Sequence, residues 1–412
     1  MKVAFLLQDL QLSGGVGVVV EHASQLAARH GFDVTLAMTR RQPDPDWSFR
    51  GLERLHVVPI ERARQDRYDV AVATWWETTS HLFDLDARRH AYFVQSLEDR
   101  FYGGWDPRRV GAALTHALPV SFITEASWIA ETLDELQPGG RVFYVRNGID
   151  KSVFQPPATV RPKVEGPLRV LIEGYRSSEF KGVDEAVATV AAMTEPRHLT
   201  AVIPDRTVAG DVEADSLLGA VNQADLARLY ADTDVVLKLS RIEGMFGPPL
   251  EGFHCGTTCV VTPVTGHDEY VAHGWNGLVT EWDDIRGTAR LLDLLARDRR
   301  YLHFLRTNAL ETARAWPSWE QSSTFMAAAL GAIRRLSPPD PRGPGRLLAS
   351  EAQAAATSMG TEIAALDREL TELRWLERRA SFRALRRAAA ARHRPPFRYL
   401  LWPLRRLRKK RD

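Results

Sequence analysis

Cysteine is nearly absent: the 412 residues hold two, Cys255 and Cys259, four positions apart in an apolar context with no second pair. That spacing supports neither a secreted disulfide framework nor a zinc site, and a reducing compartment fits best. No run of 18 apolar residues occurs, which excludes an integral helical membrane protein. After Lys2 only Val3 to Gln8 precede the polar stretch around Asp9, too short for the apolar core of a signal peptide. An excess of one charge is also missing, with 54 Lys and Arg against 52 Asp and Glu. That balance hides a division. From Arg374 to Asp412 fifteen basic residues face two acidic ones, a formal +13 that leaves −11 on the remainder.

What is present is a regular alternation. Lys2–Gln8 reads as a buried strand, Ser13–Gly17 as a Gly-rich loop, Val18–Arg29 as a helix ended by Gly31, and Val34–Met38 as a second strand. Val70–Thr74, Ala91–Val94, Val120–Thr124 and Val142–Val145 continue the series. Strands of β-branched residues separated by helices predict a mainly parallel sheet covered on both faces. Residues 1–153 form one such Rossmann-like domain. Pro156, Pro157, Pro162 and Pro167 mark a linker at 154–167. The pattern then restarts with strands at Leu168–Glu173, Leu199–Ile203, Val235–Leu239 and Thr258–Val261, and helices at Val183–Met193, Asp225–Tyr230 and from Pro249. Helices over Ile285–Ala296, Tyr301–Arg314 and Trp319–Arg335 close a second domain, 168–336. A length of 412 residues suits two cores better than one. The expected fold class is α/β, with two consecutive Rossmann-like domains.

Pro338, Pro339, Pro341 and Pro344 with Gly343 and Gly345 predict a further linker at 337–346. Ala352, Ala356, Met359, Ile363, Leu366, Leu370 and Leu373 then follow 4-3 spacing, a coiled-coil-like helix over 347–379. Its stripe needs a partner surface, either a second copy of the chain or the body of the protein.

Three connections can carry chemistry. Ser13-Gly14-Gly15-Val16-Gly17 follows a strand and opens a helix, where bare amides meet an anion, although the same residues also make a plain turn. Gly174-Tyr175-Arg176 and Lys181-Gly182 put two cations on one strand-to-helix connection, a fork and a point charge suited to a diphosphate, or else two solvated surface residues. The densest stretch is Ser240 to Gly252, with Glu243 and Glu251 eight positions apart around Gly244, Phe246, Gly247, Pro248 and Pro249. Carboxylates at the ends of parallel strands can accept hydrogen bonds from a polyhydroxylated ligand; the alternative is a pair of helix-terminal charges. Asp232 and Asp234 precede an apolar strand and read as turn and cap residues, so no metal is expected.

This combination resembles the large retaining glycosyltransferase family of GT-B fold that carries an E-x7-E motif, family 4. Glu243 and Glu251 stand at that spacing, and Gly-Met-Phe-Gly-Pro-Pro-Leu is similar to the family's Gly-Phe-Gly-Leu-Pro segment with one residue inserted or substituted. Arg176 and Lys181, the Asn147-Gly148-Ile149-Asp150 junction, the Cys255-Gly256 turn, Thr262–Glu269 and Asn276-Gly277-Leu278-Val279 extend the likeness over residues 1 to about 335. The resemblance implies two domains facing a cleft and a nucleoside-diphosphate sugar as donor, with no cofactor. It implies that Arg176 and Lys181 neutralise the diphosphate and that Glu251 binds the ribose. Glu243 and the amides near Phe246 and Gly247 would orient the sugar, with Gly14 and Gly15 on the diphosphate or sugar. Arg176, Lys181 and Glu243 are then the catalytic set, and transfer retains the anomeric configuration. Gly266–Glu269 either adds donor contacts or caps the next helix.

On the acceptor side, Trp75, Trp76 and Glu77 follow a strand, Glu98 to Tyr102 form a second polar and aromatic group, and His116 is a further candidate. In the tail, 380–412, basic residues interleave with Phe382, Phe397, Tyr399, Trp402 and several leucines, while Pro395, Pro396 and Pro403 interrupt any long helix. Peripheral attachment to an anionic membrane is expected, ahead of a solvated tail or nucleic-acid contact. The function expected is transfer of a hexosyl or deoxyhexosyl group, rhamnose among the candidates, to a glycan or lipid-linked glycan. Its setting would be bacterial surface polysaccharide or lipopolysaccharide synthesis at the inner face of the cell membrane. A sugar-nucleotide epimerase of the same shape and a non-catalytic glycan-binding scaffold are the alternatives.

Overall fold

A computed structural model describes residues 1–11, 13–40, 49–104, 106–137, 141–162, 165–205, 212–337 and 344–378. The basic tail at 380–412 and the prolines at 338, 339 and 341 lie outside them. The chain divides into two compact units, Met1–Ala354 and the part from Ala355 onward.

The first unit holds two sheets with all strand pairs parallel. In the first, β1 (Lys2–Leu7), β2 (Asp33–Met38), β3 (His56–Pro59), β4 (Arg67–Ala73), β5 (Asp86–Val94), β6 (Ser121–Thr124) and β7 (Val142–Tyr144) lie in the order 3-2-1-4-5-6-7. Helices α1 (Gly14–His30), α2 (Ile60–Ala63), α3 (Pro107–Thr115) and α4 (Ser127–Leu136) connect them. The second sheet has β8 (Leu168–Glu173), β9 (Arg197–Val202), β10 (Ser216–Leu218), β11 (Val235–Lys238), β12 (Thr258–Val261) and β13 (Leu278–Val279), ordered 10-9-8-11-12-13. Its helices are α5 (Val183–Ala191), α6 (Gln223–Asp232), α7 (Gly247–His254), α8 (Ile285–Arg297) and α9 (Arg299–Ala315). Two further helices follow, α10 (Trp319–Arg335) and α11 (Pro344–Arg378). Both central strands are buried along most of their length, as parallel strands covered on two faces must be.

The strand order reverses between β1 and β4 and again between β8 and β11. Such switch points leave a crevice beyond the strands' carboxyl ends, where open α/β sheets bind ligands. The connections after β1, β4, β8 and β11 are those that the sequence marks for chemistry.

Three boundaries differ from the sequence reading. The Gly-rich stretch is the first turn of α1: Ser13 caps it, accepting from the Val16 amide at 3.2 Å, and Gly14, Gly15 and Gly17 are helical. Pro344 and Gly345 belong to α11 and not to a linker, since Pro loses nothing at the start of a helix. Finally α10, assigned by its place in the sequence to the second domain, packs on the first. Its Met326, Leu330 and Ile333 are fully buried in the core with Val19, Val20 and Ala23 of α1. Burying three such side chains favours this seat by about 2 kcal/mol each. The crossing is tight at Gly148, where a Cβ would stand 2.4 Å from the Trp319 amide nitrogen, and α10 opens there with a Ser318–Gln321 capping box.

In the second unit Met359, Leu366 and Leu370 of α11 are exposed, whereas Ala356 of the same 4-3 series is buried. No described helix is long and apolar enough to cross a membrane.

Candidate functional site

The β8/β11 crevice assembles from two connections that run side by side. The Arg241 amide donates to the Phe180 carbonyl at 2.7 Å, and Gly182, at φ +65°, sits where a Cβ would lie 2.1 Å from the Leu239 carbonyl. A side chain at 182 is excluded twice, by conformation and by space. This close approach delivers Lys181 to Glu243. The Lys181 ammonium donates to both carboxylate oxygens, at 3.0 and 2.9 Å, with side-chain exposures of 26% and 10%. Two of the three ammonium donors are used, and the pair remains within reach of a ligand.

Arg176 occupies the same connection after β8. Its Nε donates to Asp184 at the start of α5 at 2.6 Å, while the Arg176 and Ser177 amides donate to Asp205 at 3.0 and 2.6 Å. Glu251 lies one turn into α7, partly buried. Desolvation, reinforced by the nearby Glu173 charge, pushes its carboxyl up to about 8. Phe246 is buried in the core and its carbonyl takes the Tyr270 hydroxyl, so the chain at 246–247 can offer a ligand only its backbone. A Cβ on Gly247 would meet nothing within 4 Å.

The Glu243 loop also touches the first domain. At Gly244 a Cβ would stand 1.8 Å from the Gln95 carbonyl, so only glycine permits this approach. The Gly244 carbonyl accepts from Trp128 Nε1 at 3.1 Å, and the Met245 amide donates to Glu125 at 3.2 Å. Gln95 in turn donates to the Gly15 carbonyl at 3.2 Å, which links the first turn of α1 to the same loop. Glu269 caps no following helix; its carboxylate instead accepts from the amide of Ser127, the first residue of α4. It accepts from Ser127 Oγ at 2.6 Å and from the Tyr144 hydroxyl at 2.8 Å, with Arg146 3.7 Å away, and so joins the two domains.

Glu125 was missed by sequence reasoning. It follows β6, is 5% exposed, accepts from Asn147 at 2.6 Å, and is held up near 8 by burial. A carboxylate directly behind a buried strand is the signal that marks it. Lys238, at the end of β11 and equally buried, was missed as well.

On the acceptor side the candidates separate. Trp76 has no exposed surface. Its indole donates to Tyr102 at 2.8 Å, so it cannot present a face to a sugar. His116 is buried at the end of α3, and desolvation lowers its imidazole to about 4. Burial therefore removes both from the accessible surface. Glu98 is likewise internal, accepting from Tyr92 and from the Trp76 amide. Trp75 stays partly exposed, donating to Glu77 at 3.3 Å and stacking on Phe101 with centroids 6.0 Å apart. Phe101 meets Phe180 of the second domain at 5.4 Å, and the Lys181 ammonium lies 5.5 Å from the Phe180 ring. Trp75, Phe101, Phe180 and Lys181 thus form a continuous line between the two crevices.

Among the described residues no group of three or more His, Cys, Asp or Glu could hold a metal ion. Asp234 is buried, accepting from the Arg169 amide at 3.0 Å with Arg306 3.8 Å away, which accounts for one carboxylate of the Asp232/Asp234 pair.

Residues 177–298 match the family described as Glycosyl transferases group 1, a span that includes Lys181, Glu243 and Glu251. The N-acetyl-alpha-D-glucosaminyl L-malate synthase of Bacillus anthracis is 27% identical over 232 residues, 53% of this chain and 57% of that protein. The chain therefore matches a little over half the length of this curated relative. Among solved structures, Anabaena HepE in complex with UDP and glucose shares 16% identity at a TM-score of 0.63, over 81% of this chain and 100% of that one. Sucrose-phosphate synthase from Thermosynechococcus elongatus shares 16% identity at 0.65, over 81% and 98%. At such identities the likeness establishes the fold: this is a GT-B molecule, two Rossmann-like domains flanking a cleft.

Proposed function

We propose that the protein is a retaining glycosyltransferase that moves a hexosyl or deoxyhexosyl group from a nucleoside-diphosphate sugar to a glycan or lipid-linked glycan hydroxyl. The observation that carries this reading is the Lys181–Glu243 pair at the β8/β11 switch point, with Glu251 one turn into the following helix. The family match over this segment supports it. In the reaction the bond from the anomeric carbon to the diphosphate oxygen breaks, and negative charge grows on the leaving phosphate. Lys181 retains one ammonium donor for that phosphate, and Arg176 adds a second cation from the same connection. The acceptor hydroxyl attacks from the face the phosphate leaves and gives it its proton, so the configuration is kept and no metal is needed. Glu251 takes the ribose hydroxyls, and Glu243 with the backbone at Phe246 and Gly247 orients the sugar. Gly14 and Gly15 approach the diphosphate from the first domain, and Trp75 and Glu77 face the acceptor.

The setting proposed is bacterial surface polysaccharide synthesis, with the basic tail at 380–412 resting on the inner face of an anionic membrane and the exposed stripe of α11 pairing with a second copy. A panel of nucleoside-diphosphate sugars, with mass and anomeric analysis of the product, tests the reaction. A retained linkage on an added sugar supports it. Isomerised donor without an acceptor would instead mean an epimerase, and binding without turnover a scaffold. Removal of residues 374–412 tests the membrane contact: vesicle binding should be lost while soluble-acceptor turnover persists, and unchanged vesicle binding would refute it.

A further inference from the structure

One short turn of the first domain reaches both connections of the β8/β11 crevice. Residues Glu98–Phe101 form a single 3-10 turn between β5 and α3, and its last two side chains cross to the second domain at separate points. Arg100 Nη1 donates to Thr265 Oγ1 at 2.8 Å, and Thr265 Oγ1 donates to the Glu243 carbonyl at 3.4 Å. A threonine hydroxyl has one proton and spare lone pairs, so it accepts from the guanidinium while giving its proton to Glu243. The Arg100 guanidinium carbon also lies 5.4 Å from the centre of the Trp128 ring, and Trp128 Nε1 holds the next carbonyl, that of Gly244, at 3.1 Å. Gly266 lets the two loops meet: at φ +87° it has no room for a side chain, whose Cβ would stand 2.1 Å from the Gly244 carbonyl and 3.4 Å from Trp128 Nε1. Phe101, the neighbour of Arg100, meets Phe180, the neighbour of Lys181, with ring centres 5.4 Å apart. Consecutive residues of the first domain thus bear on both members of the Lys181–Glu243 pair.

We propose that Arg100 is a positioning residue of the donor site: it holds the backbone of Glu243 and Gly244 through Thr265 and Trp128, while Phe101 bears on Phe180. The inference rests on the donor-site reading above and adds to it a part played by the first domain. Its effect is geometric. A carboxylate that must face the sugar while holding Lys181 depends on where its own backbone stands, and a misplacement of about 1 Å can cost about 10²-fold in rate. Because Phe101 also stacks on Trp75, the same turn ties the acceptor lip to the pair.

The test uses the full chain with UDP-glucose, UDP-N-acetylglucosamine, GDP-mannose and dTDP-rhamnose, water serving as acceptor and nucleoside-diphosphate release as the signal. With the donor turned over fastest, R100M should lower kcat by about 10 to 10²-fold and leave the donor KM within about twofold. T265V, which removes the hydroxyl at constant shape, should do the same, and T265S should keep most of the rate. The double variant should be no slower than the slower single one, because the two residues act as one chain. Losses that multiply, an R100M or T265V rate equal to wild type, or a defect confined to KM would overturn the proposal. Hydrogen exchange of the ligand-free protein supplies an arm independent of turnover. Amides at 243–247 should exchange faster in R100M and T265V while those of β1 keep the wild-type rate. Unchanged exchange at 243–247 would overturn the clamp, and so would faster exchange throughout, which would mean a loss of global stability only. If the wild type turns over none of the four donors, the donor-site reading fails and the positioning role fails with it, while exchange still decides whether Arg100 holds the loop.

Discussion

At the carboxyl end of the second sheet, charged side chains meet one another and remain partly open to a ligand: Lys181 holds both oxygens of Glu243 at 26% and 10% exposure. At the corresponding end of the first sheet they are consumed by the fold. Glu98 is sealed under Tyr92 and the Trp76 amide, Trp76 is bonded to Tyr102, and His116 is internal. The same topology thus produces a partly exposed ion pair in one half and a buried polar layer with an aromatic lip, Trp75 and Phe101, in the other. Polarity after a strand is therefore weak evidence of a site. Polarity that pairs across two connections and stays accessible is stronger.

The sharpest way to break this contrast is to truncate the two neighbouring tryptophans. Trp76→Ala should cost about 3 to 5 kcal/mol of stability, because it empties a fully buried site and orphans Tyr102. Trp75→Ala should melt close to wild type and raise only the acceptor KM; equal melting losses would erase the distinction. Lys181→Ala comes next, with kcat expected to fall 10² to 10³-fold, about 2.7 to 4 kcal/mol, at intact secondary structure by circular dichroism. Wild-type turnover would mean that the pair with Glu243 is structural. Two glycines differ in the same way. Gly244→Ala drives a methyl group into the Gln95 carbonyl and should cost about 1 to 3 kcal/mol in melting experiments, together with lost turnover. Gly14→Ala, where a Cβ meets nothing, should be neutral or slightly stabilising.

Ionisation of Glu98 adds a pH dependence. Burial raises Glu98 to about 8, above the ordinary 4.5, so the folded state holds a proton that the unfolded state has released. Its contribution to stability is complete below about pH 4.5 and is lost as pH rises through about 8. Denaturant titrations of Glu98→Gln against wild type should reveal a term of at most about 1.4 kcal/mol per pH unit in that window. Parallel curves would contradict it.

Much of this architecture was legible in the sequence because parallel strands buried on two faces carry long β-branched runs, as in Val235 to Leu237. The close approach of the two connections was legible where glycine and charge coincide, at Lys181-Gly182 and Glu243-Gly244, since both glycines are demanded by backbone contacts. Short edge strands were not: β10 and β13 span three and two residues, too few to show a period. Nor was the return of α10 to the first domain, because an amphipathic helix advertises an apolar face without naming the surface that covers it. Lys238 escaped for a related reason. In Val-Val-Leu-Lys-Leu it passes for an ordinary strand end, and the backbone carbonyl of Glu173 that its ammonium meets lies 65 residues before it, on β8.

A crystal structure of the protein with a nucleoside-diphosphate sugar bound decides whether the β8/β11 crevice receives the donor. The expected result places a phosphate oxygen within hydrogen-bond distance of the Lys181 ammonium, with Glu251 on the ribose hydroxyls and the sugar against Glu243. A nucleotide seated elsewhere, or a diphosphate touched by neither Lys181 nor Arg176, would contradict it.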